Sequence, residues 1–488
     1  MASLKQQTIS SVKWTTLQTA VTGIAGPILL LIKARFLSPQ EFGHIAVILI
    51  VIGLCRLMES FGISQAIIQR DEISVRESST LFYFNIFLSC LIAIALYFAS
   101  PIIAAFFSLP DLERYLPVVS IVVLVTGPSL LFRAFLEKNM YFKHLSLIAI
   151  ARQLVALGAT SGFLLFGYGV MGVIYAQIMG AVTATFSIMA ISARFRAAAV
   201  SFHFNPVELV PFLRFGVFVS AKQLLTFATH RLDEVVIGYF LAPEILGIYH
   251  FGKNMLERIR NLMTMSFAKV LFPVFSKLKH KPQRLTFAYQ RISRYIAFGA
   301  FPVFAGIAVT AHLFVPVIFG AQWTDSVIVF QVFSVAVILL VLTANVSTSL
   351  LYSVNKPDLV FYIDVITNSL YFILLFLFAS QGMLAVLIAY SCYVAYKTLT
   401  LQYYANRQLV EGFFSYFQGL AMPAVSALCM VAAVWFFQLL SAPVMGEISQ
   451  LAGSIIVGAM VYAFLAWFFA RETLGQLRSA LVRGEITG

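Results

Sequence analysis

The chain has 488 residues, 60% of them hydrophobic and 11% charged, with a mean hydropathy of +0.91. That balance excludes an ordinary soluble domain and places the chain among integral membrane proteins. Its 33 Lys and Arg outnumber 20 Asp and Glu, for a net charge of +13, but no basic soluble domain or RNA-binding signature accompanies the excess. The expected partner is therefore an anionic lipid or substrate and not nucleic acid.

The first apolar run, about Trp14 to Phe36, is longer than a signal-peptide core and reads as a transmembrane helix. Gly26 and Pro27 interrupt it in the middle, which removes a backbone hydrogen bond and makes them a candidate hinge. Further apolar runs centre near residues 50, 92, 123, 154, 180, 226, 256, 303, 338, 368, 394, 427 and 458. With about 20 residues needed per crossing, the chain is expected to be an all-α integral membrane protein of about 14 transmembrane helices. Cys55, Cys90, Cys392 and Cys429 all lie inside apolar runs without paired metal-ligand spacing. Neither a metal site nor a disulfide framework is expected.

An even count puts both termini on one side, and the loop charges identify it. Lys5, Lys13, Arg70, Arg76, Lys138, Lys143, Arg194, Arg196, Lys277, Lys279, Lys281, Arg284, Lys356, Arg407, Arg471, Arg478 and Arg483 share that side, cytoplasmic by the positive-inside rule. The opposite turns, such as Phe166 to Gly169, Leu241 to Glu244 and Gln381 to Gly382, contain no basic residue, and Arg114 is the exception outside.

The string FLSPQEFG, Phe36 to Gly43, returns as FLAPEILG, Phe240 to Gly247, an offset of 204 residues. Each copy is an outer turn between the first two helices of a six-helix block. Blocks with an even number of helices run parallel, so two six-helix lobes related by an axis along the membrane normal are expected, with a binding site between them. The division is 1–195 for the first lobe, 196–214 for an interfacial linker and 215–410 for the second lobe. Two extra helices over 411–472 and a cytoplasmic tail over 473–488 complete it.

Charge inside the spans is the functional signal. Lys33, Arg35, Arg56, Arg152, Lys222, Arg231, Lys253, Arg258, Arg260, Arg291 and Arg294 fall within apolar runs, each costing about 2.5 to 3.5 kcal/mol near a helix centre if lipid-exposed. Lys33, Arg35, Arg291 and Arg294 lie near span ends and can snorkel. Arg231 has Asp233 and Glu234 beside it, so a local ion-pair cluster competes with substrate binding. Arg56, Arg152, Lys222, Lys253, Arg258 and Arg260 are the candidate substrate-binding cations. For Arg56 and Lys253 the bland alternative is an intrahelical pair with Glu59 or Glu257, whereas Arg152 and Lys222 have no acid at i±3 or i±4. The repeat offset sets Arg56 against Arg260. Asp364, Asp233 and Glu234 are the candidates for coupling to a proton or sodium ion, a structural role being the alternative for Asp364.

The strings TISSVKW (Thr8 to Trp14), FGISQAIIQRDEIS (Phe61 to Ser74), FRAFLEK (Phe132 to Lys138), LRFG (Leu213 to Gly216), VLFPVFSK (Val270 to Lys277) and FVPVIFG (Phe314 to Gly320) carry a resemblance. They resemble the polysaccharide transporter branch, of the Wzx or colanic acid exporter type, of the multidrug/oligosaccharidyl-lipid/polysaccharide (MOP) exporter superfamily. The resemblance implies the MOP-type fold: two six-helix lobes in a V, a central cavity and alternating access in the bacterial inner membrane. It further implies export of an undecaprenyl-diphosphate-linked oligosaccharide from the cytoplasmic to the periplasmic leaflet, beside a polysaccharide polymerase or export machinery. Fixed Arg and Lys suit that substrate, because they replace the hydration a diphosphate loses in hydrocarbon.

Three rivals are weighed against this reading. A peptidoglycan lipid-precursor flippase has the same charge logic. A multidrug exporter of the same superfamily would call for an acidic cavity. A membrane glycan polymerase or ligase would carry a sizeable outer loop with catalytic polar residues, and every expected outer loop is short. The chain is thus expected not to be an enzyme and to need no cofactor, and it has no Gly-rich nucleotide loop.

Overall fold

A computed structural model describes residues 4–195 and 198–482, and its regular structure is helical throughout. Arg196, Arg483 and the end of the expected tail lie outside the described residues. The helices are α1 (Leu4–Phe36), α2 (Pro39–Ser60), α3 (Ile63–Gln69), α4 (Val75–Phe106), α5 (Leu112–Thr126), α6 (Ser129–Lys138), α7 (Phe142–Leu165), α8 (Gly169–Phe195) and α9 (Val210–Phe240). They continue as α10 (Pro243–Leu278), α11 (Pro282–Phe319), α12 (Val327–Leu342), α13 (Thr348–Ser353), α14 (Pro357–Phe378), α15 (Met383–Asn406), α16 (Phe413–Gly419), α17 (Ala421–Ser441) and α18 (Glu447–Val482).

Among the described residues, twelve helices are long and apolar enough to cross a membrane, and the α5–α6 pair, bent by 45°, passes the same test jointly. The chain is a multi-pass membrane protein. The expected count of fourteen is not reproduced by that test, and the missing one is α10. This helix is 36 residues long but carries Lys253, Glu257, Arg258 and Arg260 in its middle, so composition and not length sets it apart. The break between α5 and α6 falls at Gly127–Pro128, where proline cannot donate its i→i−4 bond. A side chain at Gly127 would collide with Ser89 of α4, its Cβ lying 2.0 Å from Oγ. The hinge candidates Gly26 and Pro27 lie within α1, which is helical on both sides of them.

Contacts divide the chain into two compact units, Met1–His250 and Phe251–Gly488. The expected lobes remain a reading of the repeat. In the first unit α1 packs on α7, α7 on α8, α4 on α5, and α2 lies along α9. In the second, α11 packs on α12, α14 on α15, and the terminal pair α17–α18 docks onto α11.

Three of the family-bearing strings converge in the first unit. Phe61 and Gly62 take left-handed backbone (φ 34° and 66°) and turn the chain from α2 into α3. There the Cβ position of Gly216, from LRFG, falls 2.1 Å from the Phe61 carbonyl oxygen, so only glycine lets α9 approach this closely. Ile63, Ala66 and Ile67 of α3 pack with Leu131, Ala134 and Phe135 of α6 and with Leu209 and Phe212. Polar pins hold the rim: Lys138 Nζ donates to the Arg70 carbonyl at 2.5 Å, Arg70 pairs with Glu77 at 2.8 Å, and its guanidinium covers the Phe212 ring at 4.2 Å.

The two repeated turns also meet each other. Ser38 and Glu41 form a capping box at the start of α2, which the second copy lacks because Ala242 replaces the serine. The Cβ position of Gly43 lies 2.1 Å from the Pro243 oxygen, and that of Gly247 lies 1.8 Å from the Pro39 oxygen. Two residues that match by sequence offset therefore make reciprocal contacts, each glycine against the other copy's proline.

Candidate functional site

Three arginines of the first unit interact electrostatically: Arg56 of α2, Arg133 of α6 and Arg152 of α7. Arg152 lies ten residues into α7, about 15 Å at about 1.5 Å per residue, with its stem over Gly180 of α8, whose Cβ position is 3.5 Å from Arg152 Cγ. Among the described residues no carboxylate lies within ion-pair distance of Arg152 or of Arg56. Arg133 pairs with Glu137 at 2.9 Å. The helix break fixes Arg56 more tightly than the apolar run suggests: α2 ends at Ser60, so Arg56 sits about one turn from its end. The expected alternative of an Arg56–Glu59 ion pair is not made. Glu59 is turned inward, 2% exposed, and accepts from Ser89 at 2.9 Å and Thr126 at 3.2 Å instead.

Lys222 projects from α9 as an exposed side chain with no ion pair among the described residues. Its neighbour Gln223 meets Ser60 of α2 at 3.5 Å. Further along α9 the acids are locally engaged. Glu234, fully buried, pairs with Arg231 at 3.0 Å and with His250 Nδ1 at 3.1 Å, while Tyr249 donates to Asp233 at 2.6 Å. Asp233 in turn accepts from the Glu234 backbone N–H at 2.9 Å. This is the ion-pair cluster expected as the alternative for Arg231. Two of the three candidate coupling acids, Asp233 and Glu234, sit inside it.

In the second unit Lys253 is 5% exposed, Arg258 is exposed and Arg260 half-buried, all on α10. Lys253, Glu257 and Arg260 act electrostatically on Tyr390 of α15, which places this charged stretch of α10 toward α15. Arg56 and Arg260 belong to different units, and their correspondence rests on the sequence offset. Asp364 of α14 does have a basic partner, although none lies at i±3 or i±4: Lys397 of α15 reaches it at 2.9 Å and also donates to Tyr393 at 3.2 Å. Asn368 links the same layer, accepting from Tyr393 at 3.0 Å.

Sequence reasoning missed Lys397 and Arg133. Lys397 lies three residues from the centre of the twelfth apolar run, so its position alone marks it as an embedded cation, whereas its partner requires the fold. Arg133 lies ten residues past the centre of the run near residue 123, inside the string FRAFLEK, so position along the chain does not mark it as an embedded cation. Among the described residues no group of His, Cys, Asp and Glu is arranged to hold a metal ion.

Comparison with known proteins agrees with this architecture. A family model described as polysaccharide biosynthesis protein matches residues 32–328, more than half of the chain. The chain is 26% identical over 369 residues to the lipopolysaccharide biosynthesis protein WzxC of Escherichia coli (strain K12), covering 76% of this chain and 74% of that one. It is 26% identical over 473 residues to the teichuronic acid biosynthesis protein TuaB of Bacillus subtilis (strain 168), covering 95% and 96%. Its fold is similar to that of the lipid II flippase MurJ in an inward closed conformation, with a TM-score of 0.72 at 14% identity over 94% of this chain and 99% of that one. An inward-facing multidrug resistance MATE family transporter of the MOP superfamily also shares it, with a TM-score of 0.57 at 15% identity over 85% and 98%. The chain belongs to the polysaccharide biosynthesis protein family.

Proposed function

We propose that the chain is a flippase for an undecaprenyl-diphosphate-linked oligosaccharide, carrying it from the cytoplasmic to the periplasmic leaflet of a bacterial inner membrane. The observation that carries the reading is a pair of mutually interacting arginines in apolar helices of the first unit, half-buried Arg152 ten residues into α7 and exposed Arg56 one turn from the end of α2, neither with a carboxylate within ion-pair distance among the described residues. Unpaired cations in such a place are costly unless a ligand supplies the anion. A diphosphate does so, and guanidinium can bind two of its oxygens at once. The names of the relatives in lipopolysaccharide and teichuronic acid biosynthesis support a glycan as the remainder of the substrate.

In this reading Lys222 adds to the cations of the first unit, Lys253, Arg258 and Arg260 are substrate-binding cations of the second, and alternating access of the repeat lobes exposes the substrate to each leaflet in turn. Transport is coupled to an ion and consumes no cofactor, and both termini are cytoplasmic. A polysaccharide polymerase or export complex would receive the product. The test is reconstitution in liposomes with lipid-linked oligosaccharides, following leaflet exchange with and without a proton or sodium gradient. Exchange of the glycan lipid in preference to a peptidoglycan lipid precursor is expected. No exchange across a range of glycans refutes the reading.

A further inference from the structure

Glu59 is a buried carboxylate without an ion pair near the C-terminal end of α2. Its oxygens receive Ser89 Oγ from α4 at 2.9 Å and Thr126 Oγ1 from the last residue of α5 at 3.3 and 3.2 Å. Thr126 has one hydroxyl proton but three acceptors within reach, because the Val122 and Val123 carbonyl oxygens lie at 3.0 and 3.2 Å. If that proton stays on the helix carbonyl, an ionised Glu59 keeps a single donor, a poor arrangement for an anion sealed from water. A protonated Glu59 closes the chain instead. Its O–H donates to Thr126, Thr126 donates to Val122, and Ser89 donates to the other carboxyl oxygen.

The charges around it are few. On α2 itself Arg56 lies within electrostatic reach and Cys55 is buried beside it. Arg133 of α6 and Arg152 of α7 act on Arg56 and on each other. Ser89 and Asn85 line α4, and Asn85 Oδ1 is itself buried without a hydrogen bond. From α9 come Gln223, against Ser60, and the neighbouring Lys222, and α8 holds no charged residue except Arg194. Three arginines against Glu59 and Glu137 leave one net positive charge, and protonating Glu59 makes it two.

We propose that Glu59 takes up a proton when an anionic ligand binds beside Arg56, so that proton and anion occupy the first unit together. This rests on the cationic-site reading above. The coupling is reciprocal: whatever factor protonation adds to anion affinity, the anion adds to the proton affinity of Glu59. It also places the linkage at the α5–α6 bend, since Thr126 precedes Gly127–Pro128 and Ser89 fills the space that a side chain at Gly127 would need.

The experiment uses the full-length protein in nanodiscs with farnesyl diphosphate as the probe. Affinity is measured between about pH 6 and about pH 9, a range that covers buried carboxyls, and proton uptake follows from calorimetry in two buffers of different ionisation enthalpy. Wild type is expected to bind about tenfold tighter at the acid end, with net proton uptake on binding. Glu59→Gln is expected to bind at the acid-end affinity at every pH with no uptake, and Glu59→Asp to retain the uptake. Wild-type pH dependence or uptake in Glu59→Gln overturns the proposal. Infrared spectroscopy gives a readout that needs no ligand: a protonated-carboxyl band that titrates in wild type and is missing in Glu59→Gln. Absence of that band from wild type at every pH also overturns it. Probe binding that is independent of pH refutes the coupling alone, whereas no binding at any pH, with the band in place, refutes the cationic site and the coupling with it.

Discussion

Replacing Gly247 by alanine tests the reciprocal contact between the two repeated turns. The added Cβ falls 1.8 Å from the Pro39 oxygen and 2.8 Å from the Gly43 nitrogen, where ordinary contact begins at 3.4 Å. Both obstacles are backbone atoms, so no rotamer change relieves them and α2 and α10 must separate by about 1.6 Å, the difference of 3.4 and 1.8 Å. Overpacking costs about 1 to 3 kcal/mol and the helix gains about 0.5 to 1 kcal/mol from losing a glycine, which leaves a net loss of up to about 2.5 kcal/mol, largest where the backbone obstacles do not yield. Gly158→Ala on α7 is the control. Its Cβ position has nothing within 4 Å, so only the helix gain remains. Thermal unfolding of the purified protein in one detergent should rank Gly158→Ala at or above wild type and Gly247→Ala below it. Gly43→Ala, whose Cβ meets the Pro243 oxygen at 2.1 Å, should fall with Gly247→Ala, and the double variant should lose less than the sum because the first separation makes room for the second. A Gly247→Ala protein that melts with wild type, or a Gly158→Ala protein that loses as much, refutes the packing argument.

Arg56→Glu and Arg260→Glu should each abolish leaflet exchange while leaving insertion intact, and full activity in both would remove these arginines from the site. Tyr249→Phe takes away the 2.6 Å donor to Asp233, a carboxylate only 3% exposed. A loss of about 1 to 3 kcal/mol is expected in thermal or denaturant unfolding, and an unchanged melting curve would show that Asp233 finds another donor. For Asp364 and Lys397, Asp364→Lys and Lys397→Asp should each impair transport and the double exchange should restore part of it. Because Asp364 is 44% exposed, the coupling in a double-mutant cycle should be only about 0.5 kcal/mol, and a double exchange no better than either single variant would deny the pair a role.

The helices were legible because hydrocarbon leaves a spanning segment few options: about 20 apolar residues and backbone bonds made within the segment. Each of the fourteen expected centres falls in a helix, α10 included, although its charges keep it from the composition of a span. The strings FGISQAIIQRDEIS, FRAFLEK and LRFG pointed to the family, and their role became physical only when α3, α6 and the start of α9 packed into one cluster. The charged residues were legible as misplaced but not as to partner. Arg56 has Glu59 at i+3, the spacing of an ion pair, yet Glu59 turns to Ser89 and Thr126, 30 and 67 residues away in sequence. Asp364 has no base on its own helix and finds Lys397 on the next.

The sequence by itself determined the solvent, the helices and the excess of cations, since each follows from the free energy of moving a residue type from water to hydrocarbon. The tertiary structure decided which charges neutralise each other. Side chains on different helices meet only when packing sets those helices side by side, and no spacing along one chain encodes that distance. The repeated Pro and Gly show both halves at once: the sequence marked four matching positions, and only the fold turned each glycine against the other copy's proline.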